Sequence, residues 1–459
     1  MVRKLFGTDG VRGTANQDPI TAETALRLAM AAGTYFSPVS GKQRPLAVIG
    51  KDTRLSGYML ESAMVAGFTT VGMDVILVGP MVTPGVAMLT RSLRADLGVM
   101  LSASHNPYQD NGLKFFGPDG FKLSDEIELG LENIIRDIDD SVRVSPKHLG
   151  RAMRLDDAAG RYIEMAKGTF PKGLRLDGLK LVVDCANGAA YKLAPKVFFE
   201  LGADIIALGV EPDGFNINRD CGAMAPQSLQ EAVKSNNAHA GIALDGDADR
   251  IVLVDEKGKV VDGDQILGAL ASAWLKTDEL NGGGIVTTVM SNLGLELYLN
   301  SKGLKLCRTH VGDRYVLEYM RQHGFNLGGE QSGHIILSDY ASTGDGIIAA
   351  LQILSIALTE GKPISDVTCL FEPVPQLLRN IKVKDASNFD DTILRSISET
   401  AEKQIGKMGR VLIRKSGTEE VIRVMVESED EVLMIKLVDD INSKPVSYTH
   451  LRAHETVRN

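Results

Sequence analysis

The chain has 459 residues, of which 44% are hydrophobic and 24% charged, and its formal net charge is −9. One hydrophobic core rarely grows past about 250–300 residues, so several domains are expected. The negative charge disfavours a nucleic-acid-binding protein, which needs a basic surface, but it allows a locally basic pocket for an anionic substrate.

The N-terminal sequence and the cysteines predict a cytoplasmic protein. No apolar stretch after Met1 resembles a signal peptide, and no run reaches the ~18 apolar residues that a membrane span needs. The cysteines lack metal-ligand spacing and are expected to be reduced, mostly buried thiols. They are Cys185, Cys221, Cys307 and Cys369. Neither a membrane nor a nucleic acid is expected as a partner.

Three consecutive stretches share one alternation of apolar strands and helical segments. The predicted strands are 46–49, 75–78, 97–101, 179–183, 204–208, 240–244, 284–289, 304–306 and 326–327. The predicted helices are 56–70, a short one after Pro84, 191–201, 227–235, 293–302 and 315–322. This alternation is typical of right-handed α/β units with buried parallel strands.

In each stretch the last strand runs into a polar loop. The three loops are Ser102–Pro107, Asp245–Arg250 and Gly329–His334. Open α/β sheets bind ligands beyond the carboxyl ends of their strands. Three similar units that present such loops from equivalent positions therefore predict one shared cleft.

A proline-containing segment, Phe371–Pro375, is interpreted as a linker to a smaller α+β domain. The predicted elements of that domain are strands at 380–383, 410–413 and 421–426 and helices at 391–405 and 430–441. The predicted domain bounds are 1–150, 151–255, 256–370 and 376–444. Residues 445–459 resemble a translated sequencing adapter and are expected to be a non-native tail.

The first polar loop carries a candidate phosphate-accepting serine. Ser104 follows a buried apolar strand, and the turn formers Asn106 and Pro107 are expected to hold its loop tightly. A serine hydroxyl carries a phosphoryl group only where cations and a base surround it, and His105 and Lys114 are candidates for these roles. An ordinary polar turn explains the loop equally well when it is taken alone.

The second polar loop carries a candidate metal site. Asp245, Asp247 and Asp249 alternate, so their side chains share one face of an extended segment and offer the oxygen ligands that Mg²⁺ prefers. An EF-hand is rejected because Arg250 occupies the glycine position and a buried strand follows. An exposed acidic turn remains the alternative, although clustered carboxylates repel one another.

The remaining motifs suit sugar or phosphate recognition. Glu330 and Ser332 can hydrogen-bond sugar hydroxyls, and His334 can move a proton near neutral pH. The segment Arg414–Thr418 offers a guanidinium, hydroxyls and backbone N–H groups to a phosphate, and the glycine-flanked Arg12 has similar potential. Plain turns remain the alternative for each motif, and a charged turn at residues 312–314 is expected to be purely structural.

The order of these loops along the chain resembles the α-D-phosphohexomutase superfamily, up to about residue 444. The resemblance implies three similar α/β mixed-sheet domains plus a smaller C-terminal α+β domain, around a central cleft. Within the superfamily, Phe6–Gly13, Gly328–His334 and Ile413–Glu419 are similar to members that act on glucosamine phosphate. One departure is Glu420, which stands where the family usually has proline.

The resemblance also implies the roles of the site residues. They are catalysis by Ser104, Arg12, Lys114 and His334; metal binding by Ser104, Asp245, Asp247 and Asp249; and substrate binding by Glu330, Ser332, Arg414, Ser416, Gly417 and Thr418. The implied cofactors are one Mg²⁺ per chain, a phosphate on Ser104 and a bisphosphorylated sugar that serves as activator and intermediate.

The implied reaction interconverts glucosamine 6-phosphate and glucosamine 1-phosphate through a phosphoserine and a sugar bisphosphate. A mutase for glucose or mannose phosphates remains an alternative. A phosphatase with a phosphoserine intermediate is another, and a non-catalytic sugar-phosphate sensor is a third, although a sensor would be expected to lack Ser104 or the aspartates. The sequence allows a homodimer without specifying it.

Overall fold

The computed structural model describes residues 5–7, 9–40, 44–382, 391–406, 409–415 and 421–441. The chain divides into a larger compact unit, Met1–Thr288 with Leu306–Leu370, and a smaller one, Val289–Lys305 with Phe371–Asn459. The predicted tail at 445–459 lies outside the described residues. Within the part of the chain that is described, no helix is both long and apolar enough to cross a membrane.

The first sheet of the larger unit carries the serine loop. Its strands are β1 (Val11–Thr14), β2 (Leu46–Lys51), β3 (Asp74–Pro80), β4 (Leu97–Leu101), β5 (Asp110–Phe116) and β6 (Ala152–Arg154). Its helices are α1 (Ala22–Ser40), α2 (Ser56–Thr70), α3 (Thr83–Ser92), α4 (Asp125–Asp137) and α5 (Ala158–Gly168). The strand order is β1-β5-β4-β2-β3-β6. Since β5 returns antiparallel to β4, the chain must turn sharply just after β4, where Ser104 lies.

The second sheet repeats this return. Its elements are β7 (Lys180–Asp184), α6 (Leu193–Glu200), β8 (Asp204–Leu208), α7 (Gln227–Ser235), β9 (Ala240–Leu244), β10 (Ile251–Asp255) and β11 (Val260–Val261). The strand order is β11-β10-β9-β7-β8. Leu244 pairs with Ile251 in the antiparallel ladder, so the aspartate loop is the hairpin connection between β9 and β10.

The third sheet has the order β13-β12-β14-β15. Its elements are α8 (Gly263–Thr277), β12 (Gly284–Thr288), β13 (Lys305–Thr309), α10 (Asp313–His323), β14 (Leu327–Gly329), β15 (Ile335–Leu337), α11 (Gly346–Glu360) and α12 (Ile364–Thr368). An intervening helix, α9 (Leu293–Ser301), belongs to the smaller unit. The antiparallel pairing of β14 with β15 places the Glu330–His334 segment in a tight turn.

The smaller unit contains one antiparallel sheet with the order β16-β18-β17. Its elements are β16 (Gln376–Lys382), α13 (Asp391–Ile405), β17 (Gly409–Lys415), β18 (Val421–Ser428) and a helix over residues 431–441. Its core is formed by the inward face of β18, including Val424 and Val426, against apolar residues of both helices. This is the α+β arrangement expected after the linker.

The predicted fold class is confirmed, since three α/β regions with mixed sheets precede a smaller α+β region. The predicted burial of the cysteines is wrong for most of them. Cys185 is buried, but Cys221 and Cys307 are half-buried and Cys369 is exposed, and all four are free thiols. Cys369 lies at the C-terminal end of the short helix α12, directly after the buried Val367 and Thr368, and not within a buried strand.

Asp345 is a buried carboxylate that begins α11. Its Oδ1 accepts hydrogen bonds from the backbone N–H groups of Ile347 and Ile348, both at 3.0 Å. The hydroxyl of Tyr162 donates to both carboxylate oxygens, at 3.0 and 2.9 Å. Burial raises the pKa of Asp345 to about 6, although these hydrogen bonds act in the opposite direction.

We expect Asp345→Asn to gain stability relative to the wild type as the pH rises from about 4 to 7. The folded-state pKa of about 6 exceeds the ordinary value of 3.8, so folding takes up a proton in this window. The wild type therefore loses about 3 kcal/mol of stability between about pH 4 and pH 6 and little more above that, whereas asparagine keeps the helix cap without a charge. Thermal unfolding midpoints across this range measure the effect.

The exposed Asp157→Asn at the start of α5 serves as the control for this experiment. Its midpoint is expected to follow that of the wild type at every pH. A difference between Asp345→Asn and the wild type that does not change with pH would contradict the assignment of a costly buried charge.

Candidate active site

Ser104 is held in a strained backbone conformation just after β4. Its φ is +53°, which is rare for a residue with a Cβ atom, and the residue is buried. Its N–H donates to Ser102 Oγ at 2.9 Å. Its own Oγ donates to Asp245 Oδ2 at 2.5 Å. Two loops 141 positions apart in the sequence therefore meet at the candidate phosphoserine.

The three aspartates form one buried cluster. Asp245, Asp247 and Asp249 each offer a carboxylate oxygen, and these oxygens lie within 4.8 Å of one another. Asp247 Oδ1 and Asp249 Oδ1 are buried, and neither accepts a hydrogen bond from any described residue. Because buried carboxylate oxygens without partners are costly, this oxygen set fits a hard divalent cation, and the exposed acidic turn is ruled out.

The raised pKa of Asp245 also indicates that the cluster lacks compensating positive charge. Burial raises its pKa well above the ordinary value, and the negative charges of Asp249 and Asp247 raise it further. Arg250 and the hydroxyl of Ser104 oppose this shift without cancelling it. A divalent cation among the three carboxylates would remove the repulsion that disfavours ionised Asp245.

Lys114 on β5 supplies a fixed positive charge beside the cluster. Its Nζ lies 2.7 Å from Asp247 Oδ2 and 3.0 Å from Asp249 Oδ2, with Asp9 Oδ2 at 3.3 Å. Burial disfavours its charge, but the three carboxylates raise the pKa of Lys114 well above the ordinary value. Thr83 Oγ1 also donates to Asp247 Oδ2, at 2.5 Å, which fixes that carboxylate.

Arg12 on β1 lies at the edge of this charged cluster. Its Nη2 donates to Asp9. Burial acts to lower its pKa, but Asp9, Asp247 and Asp249 raise it. Lys122 bridges Asp9 and Asp313. The structure thus brings Arg12 and Lys114 to the aspartate cluster, as predicted, and adds Asp9 and Lys122, which were not predicted.

His334 lies between two carboxylates. Its Nε2 is 3.2 Å from Asp313 Oδ2, and its Nδ1 is 3.7 Å from Asp249 Oδ1. Burial disfavours the charged ring, but the carboxylates of Asp313 and Asp249 raise the pKa of His334. The N–H of Gly344 lies 3.1 Å from the same Nε2, so this nitrogen can accept when neutral or donate to Asp313 when protonated.

Asp313, in the charged turn at residues 312–314 that was expected to be purely structural, lies beside the candidate site. The predicted helix at 315–322 begins at Asp313 instead, because Gly312 adopts a φ of +129° immediately before it. Asp313 therefore faces His334 and Lys122 from the first turn of α10. In the sequence, Asp313 was marked only as a charged residue directly after Gly312.

Glu330 and Ser332 lie together in the turn between β14 and β15. Glu330 Oε1 accepts from the N–H of Gly312 at 3.2 Å, and Ser332 Oγ lies 3.5 Å from Glu330 Oε2. The negative charge of Glu330 also raises the pKa of Arg250. A carboxylate and a hydroxyl in this arrangement can accept from and donate to sugar hydroxyls.

His105 lies beside Ser104 and suits the role of base rather than that of cation, the two roles for which it was a candidate. Its Nδ1 lies 3.3 Å from Ser104 Oγ. Burial lowers its pKa to about 4, and the nearby Arg250 and Arg12 contribute to the shift. His105 is therefore neutral near pH 7, whereas Lys114, Lys122, Arg12 and Arg250 carry positive charge at the site.

The predicted phosphate loop is described only at its start. Arg414 is the last residue but one of β17 and is half-buried. It pairs across the sheet with Arg423. Burial lowers the pKa of Arg414, and the facing Arg423 lowers it further. Ser416, Gly417 and Thr418 lie outside the described residues, so phosphate binding by this loop stays a prediction.

Comparisons with known proteins cover nearly the whole chain. Family models for phosphoglucomutase/phosphomannomutase alpha/beta/alpha domains I, II and III match residues 3–141, 160–258 and 262–374, and the model of the C-terminal domain matches 378–444. A phosphoglucosamine mutase of Paramagnetospirillum magneticum is 61% identical over 96% of this chain and 98% of that protein. One from Parvibaculum lavamentivorans is 59% identical with the same coverage.

Solved structures share the fold. A phosphoglucomutase/phosphomannomutase family protein from Burkholderia thailandensis has a TM-score of 0.78 at 24% identity and covers 96% of each chain. An N-acetylphosphoglucosamine mutase from Aspergillus fumigatus, solved with GlcNAc-6P and magnesium, has a TM-score of 0.65 at 19% identity and covers 96% of this chain and 95% of that one. The chain therefore belongs to the phosphoglucomutase/phosphomannomutase family.

Proposed function

We propose that this protein interconverts glucosamine 6-phosphate and glucosamine 1-phosphate, with Ser104 as the phosphoryl carrier. The observation that carries the proposal is the direct contact of Ser104 Oγ with Asp245, inside a buried carboxylate cluster that Lys114 adjoins. Relatives that are 59–61% identical over nearly their whole length are phosphoglucosamine mutases, which supports this choice of sugar.

Asp245, Asp247 and Asp249 would hold one Mg²⁺, with an oxygen of phosphorylated Ser104 as a further ligand. When bound, the ion supplies positive charge that offsets the negative charge of the transferring phosphoryl group. Asp247 and Asp249 each have a buried oxygen that accepts no hydrogen bond from a described residue, which supports this assignment, as does the magnesium in the solved Aspergillus relative.

The residues around Ser104 fit the demands of phosphoryl transfer. Such transfer depends on in-line positioning and charge neutralisation more than on covalent chemistry. Lys114 and Arg12 provide fixed positive charges at the reacting end. His334, held between Asp249 and Asp313, is the candidate that takes or returns the proton of the attacking sugar hydroxyl.

The sugar must present both of its ends to Ser104 in turn. Phospho-Ser104 transfers its phosphoryl group to the free hydroxyl of the sugar phosphate. The resulting sugar bisphosphate then returns its other phosphoryl group to the serine. Glu330 and Ser332 would bind sugar hydroxyls in both orientations, while Arg414, Ser416, Gly417 and Thr418 hold the phosphate that is not reacting. Burial of Ser104 would protect the phosphoserine from water.

A mutase for glucose or mannose phosphates of the same family is the alternative that uses the same residues. A phosphatase is disfavoured because the candidate phosphoserine is buried. A non-catalytic sensor is disfavoured because Ser104 and all three aspartates are present. A cytoplasmic location and a homodimer stay predictions from the sequence.

Turnover of the 6-phosphates of glucosamine, glucose and mannose, measured in parallel, tests the proposed substrate. We expect glucosamine 6-phosphate to have the highest kcat/KM and no accumulation of inorganic phosphate. Ser104→Ala should lose nearly all activity, because alanine lacks the hydroxyl that carries the phosphoryl group in the proposed reaction. The exposed Ser62→Ala on α2 should behave like the wild type.

Three results would contradict the proposed reaction or its carrier. A higher kcat/KM for glucose or mannose 6-phosphate would assign the chain to the alternative mutases. Stoichiometric release of inorganic phosphate would instead identify a phosphatase. Wild-type turnover by Ser104→Ala would remove Ser104 from the mechanism.

Asp247→Asn tests the metal site. The substitution removes one anionic ligand and leaves Lys114 with fewer negative partners. We expect the Mg²⁺ concentration for half-maximal activity to rise at least ~10-fold, because carboxylate ligands dominate Mg²⁺ affinity. Kinetic titration with MgCl₂ after treatment with a chelator measures this change. The exposed Asp204→Asn on β8 is the matched control, and an Asp247→Asn titration that overlays it would exclude the cluster as the metal site.

A further inference from the structure

The guanidinium of Arg54 lies buried beneath the serine loop and uses all of its N–H groups there. Its Nε donates to Asp52 Oδ2 at 2.8 Å, and neither side chain is exposed. Its two terminal nitrogens donate to four backbone carbonyls of the loop and the start of β5. These carbonyls belong to Ser104, Asn106, Pro107 and Asp110. A single side chain therefore binds the carbonyls on both sides of the turn that presents Ser104 Oγ.

Asn218, which belongs to the region of the second sheet, donates hydrogen bonds to two of the same carbonyls. Its Nδ2 donates to Ser104 O at 2.9 Å and to Asn106 O at 3.0 Å. The residue lies between β8 and α7, and its φ of +58° turns it towards the serine loop. Its own N–H donates to Ala186 O at 2.9 Å, which ties it to the segment after β7.

The aspartate loop also approaches this point. A Cβ atom added to Gly246 would lie 2.6 Å from Ser104 O and 3.0 Å from Asn218 Nδ2. Only glycine allows the backbone between Asp245 and Asp247 to come so near to that carbonyl. The Ser104 carbonyl is therefore in contact with residues of both sheets, while the Ser104 hydroxyl contacts Asp245.

The geometry explains why so many donors converge on one loop. Ser104 has a φ of +53°, a backbone conformation that is unfavourable for a residue with a Cβ atom. Burying the Arg54–Asp52 pair is also costly, and such pairs add specificity of arrangement more than stability. Hydrogen bonds on the Ser104 and Asn106 carbonyls oppose relaxation of the turn, which would move Oγ away from the aspartates.

We propose that Arg54 and Asn218 act as a two-sided clamp, the carbonyl clamp, which positions Ser104 for phosphoryl transfer. The inference rests on the proposed function, because it assumes that Ser104 carries the phosphate. Neither residue touches the candidate sugar-binding Glu330 or Ser332. Loosening the clamp therefore lowers kcat and leaves KM for the sugar phosphate largely unchanged, since misplacement of the carrier affects the transition state and not ground-state binding.

Asn218→Gly tests the clamp without introducing backbone strain, because glycine tolerates the positive φ. Asp220→Gly is the matched control, since Asp220 lies in the same loop with a φ of +56°, is exposed, and is not bonded to the serine-loop carbonyls. The full chain is incubated with glucose 1,6-bisphosphate, and the phosphate is mapped by mass spectrometry. The kcat and KM for glucosamine 6-phosphate and the thermal midpoint are then measured for each protein.

We expect kcat of Asn218→Gly to fall about 10- to 100-fold with KM within about twofold of the wild type. Asp220→Gly is expected to match the wild type. A kcat for Asn218→Gly equal to that of Asp220→Gly would overturn the clamp, and so would a rise in KM that accounts for the whole loss. If the wild type neither acquires phosphate on Ser104 nor turns over, the proposed function fails and the clamp with it.

Asn218→Asp provides a second test in case the glycine variant is unstable. It keeps the size of the side chain but presents a carboxylate to two carbonyl oxygens that need a donor. We expect its kcat to be at or below that of Asn218→Gly, and wild-type kcat in this variant would overturn the proposal. Arg54→Lys keeps the positive charge, but the ammonium group of lysine has three N–H donors for the five hydrogen bonds that Arg54 makes. The carbonyl clamp therefore predicts a lower kcat for Arg54→Lys as well.

Discussion

The contact between Ser104 Oγ and the buried Asp245 is the interaction on which the rest of the site depends. It joins a loop of the first sheet to a loop of the second, and both residues are nearly inaccessible to solvent. Buried carboxylates are stable only when positive charge compensates them. Lys114 supplies part of that charge through Asp247 and Asp249, while the pKa of Asp245 stays raised by burial and by the neighbouring aspartates. The arrangement is therefore suited to bind a cation at the place where a phosphoryl group would be handled.

The mixed sheets create this arrangement. In each of the first three sheets, a strand that belongs to the parallel part is followed by one that returns antiparallel. The connection between them is short, so its polar residues stay at the edge of the sheet and are held rigidly. Ser104, the aspartates and the Glu330–His334 turn all lie in such connections. Rigid loops on strand ends suit a reaction that depends on fixed geometry.

Local sequence was sufficient to predict the parts of the site that combine a strand end with an unusual polar loop. Ser104 and the aspartate triplet were predicted in this way, and the structure brings them together. Asp9, Lys122 and Asp313 were missed because their roles depend on contacts between segments more than a hundred residues apart. The neutrality of His105 was missed for a related reason, since burial and Arg250 lower its pKa.

Some elements of the fold were also beyond local sequence. The helix α11 is buried on nearly all sides, so its residues show no apolar and polar faces from which a helix could be predicted. The start of α10 at Asp313 depended on the backbone of Gly312, which the sequence pattern did not specify. Arg54 and Asn218 carried no motif at all, and their importance follows only from the four carbonyls that they bind.

A crystal structure of the Ser104-phosphorylated protein with Mn²⁺, phased on the anomalous signal of the metal, tests the central claim most directly. The account predicts one strong anomalous peak bound by Asp245, Asp247, Asp249 and an oxygen of the phosphoserine. A peak elsewhere, or a phosphoserine that points away from the three aspartates, would contradict it.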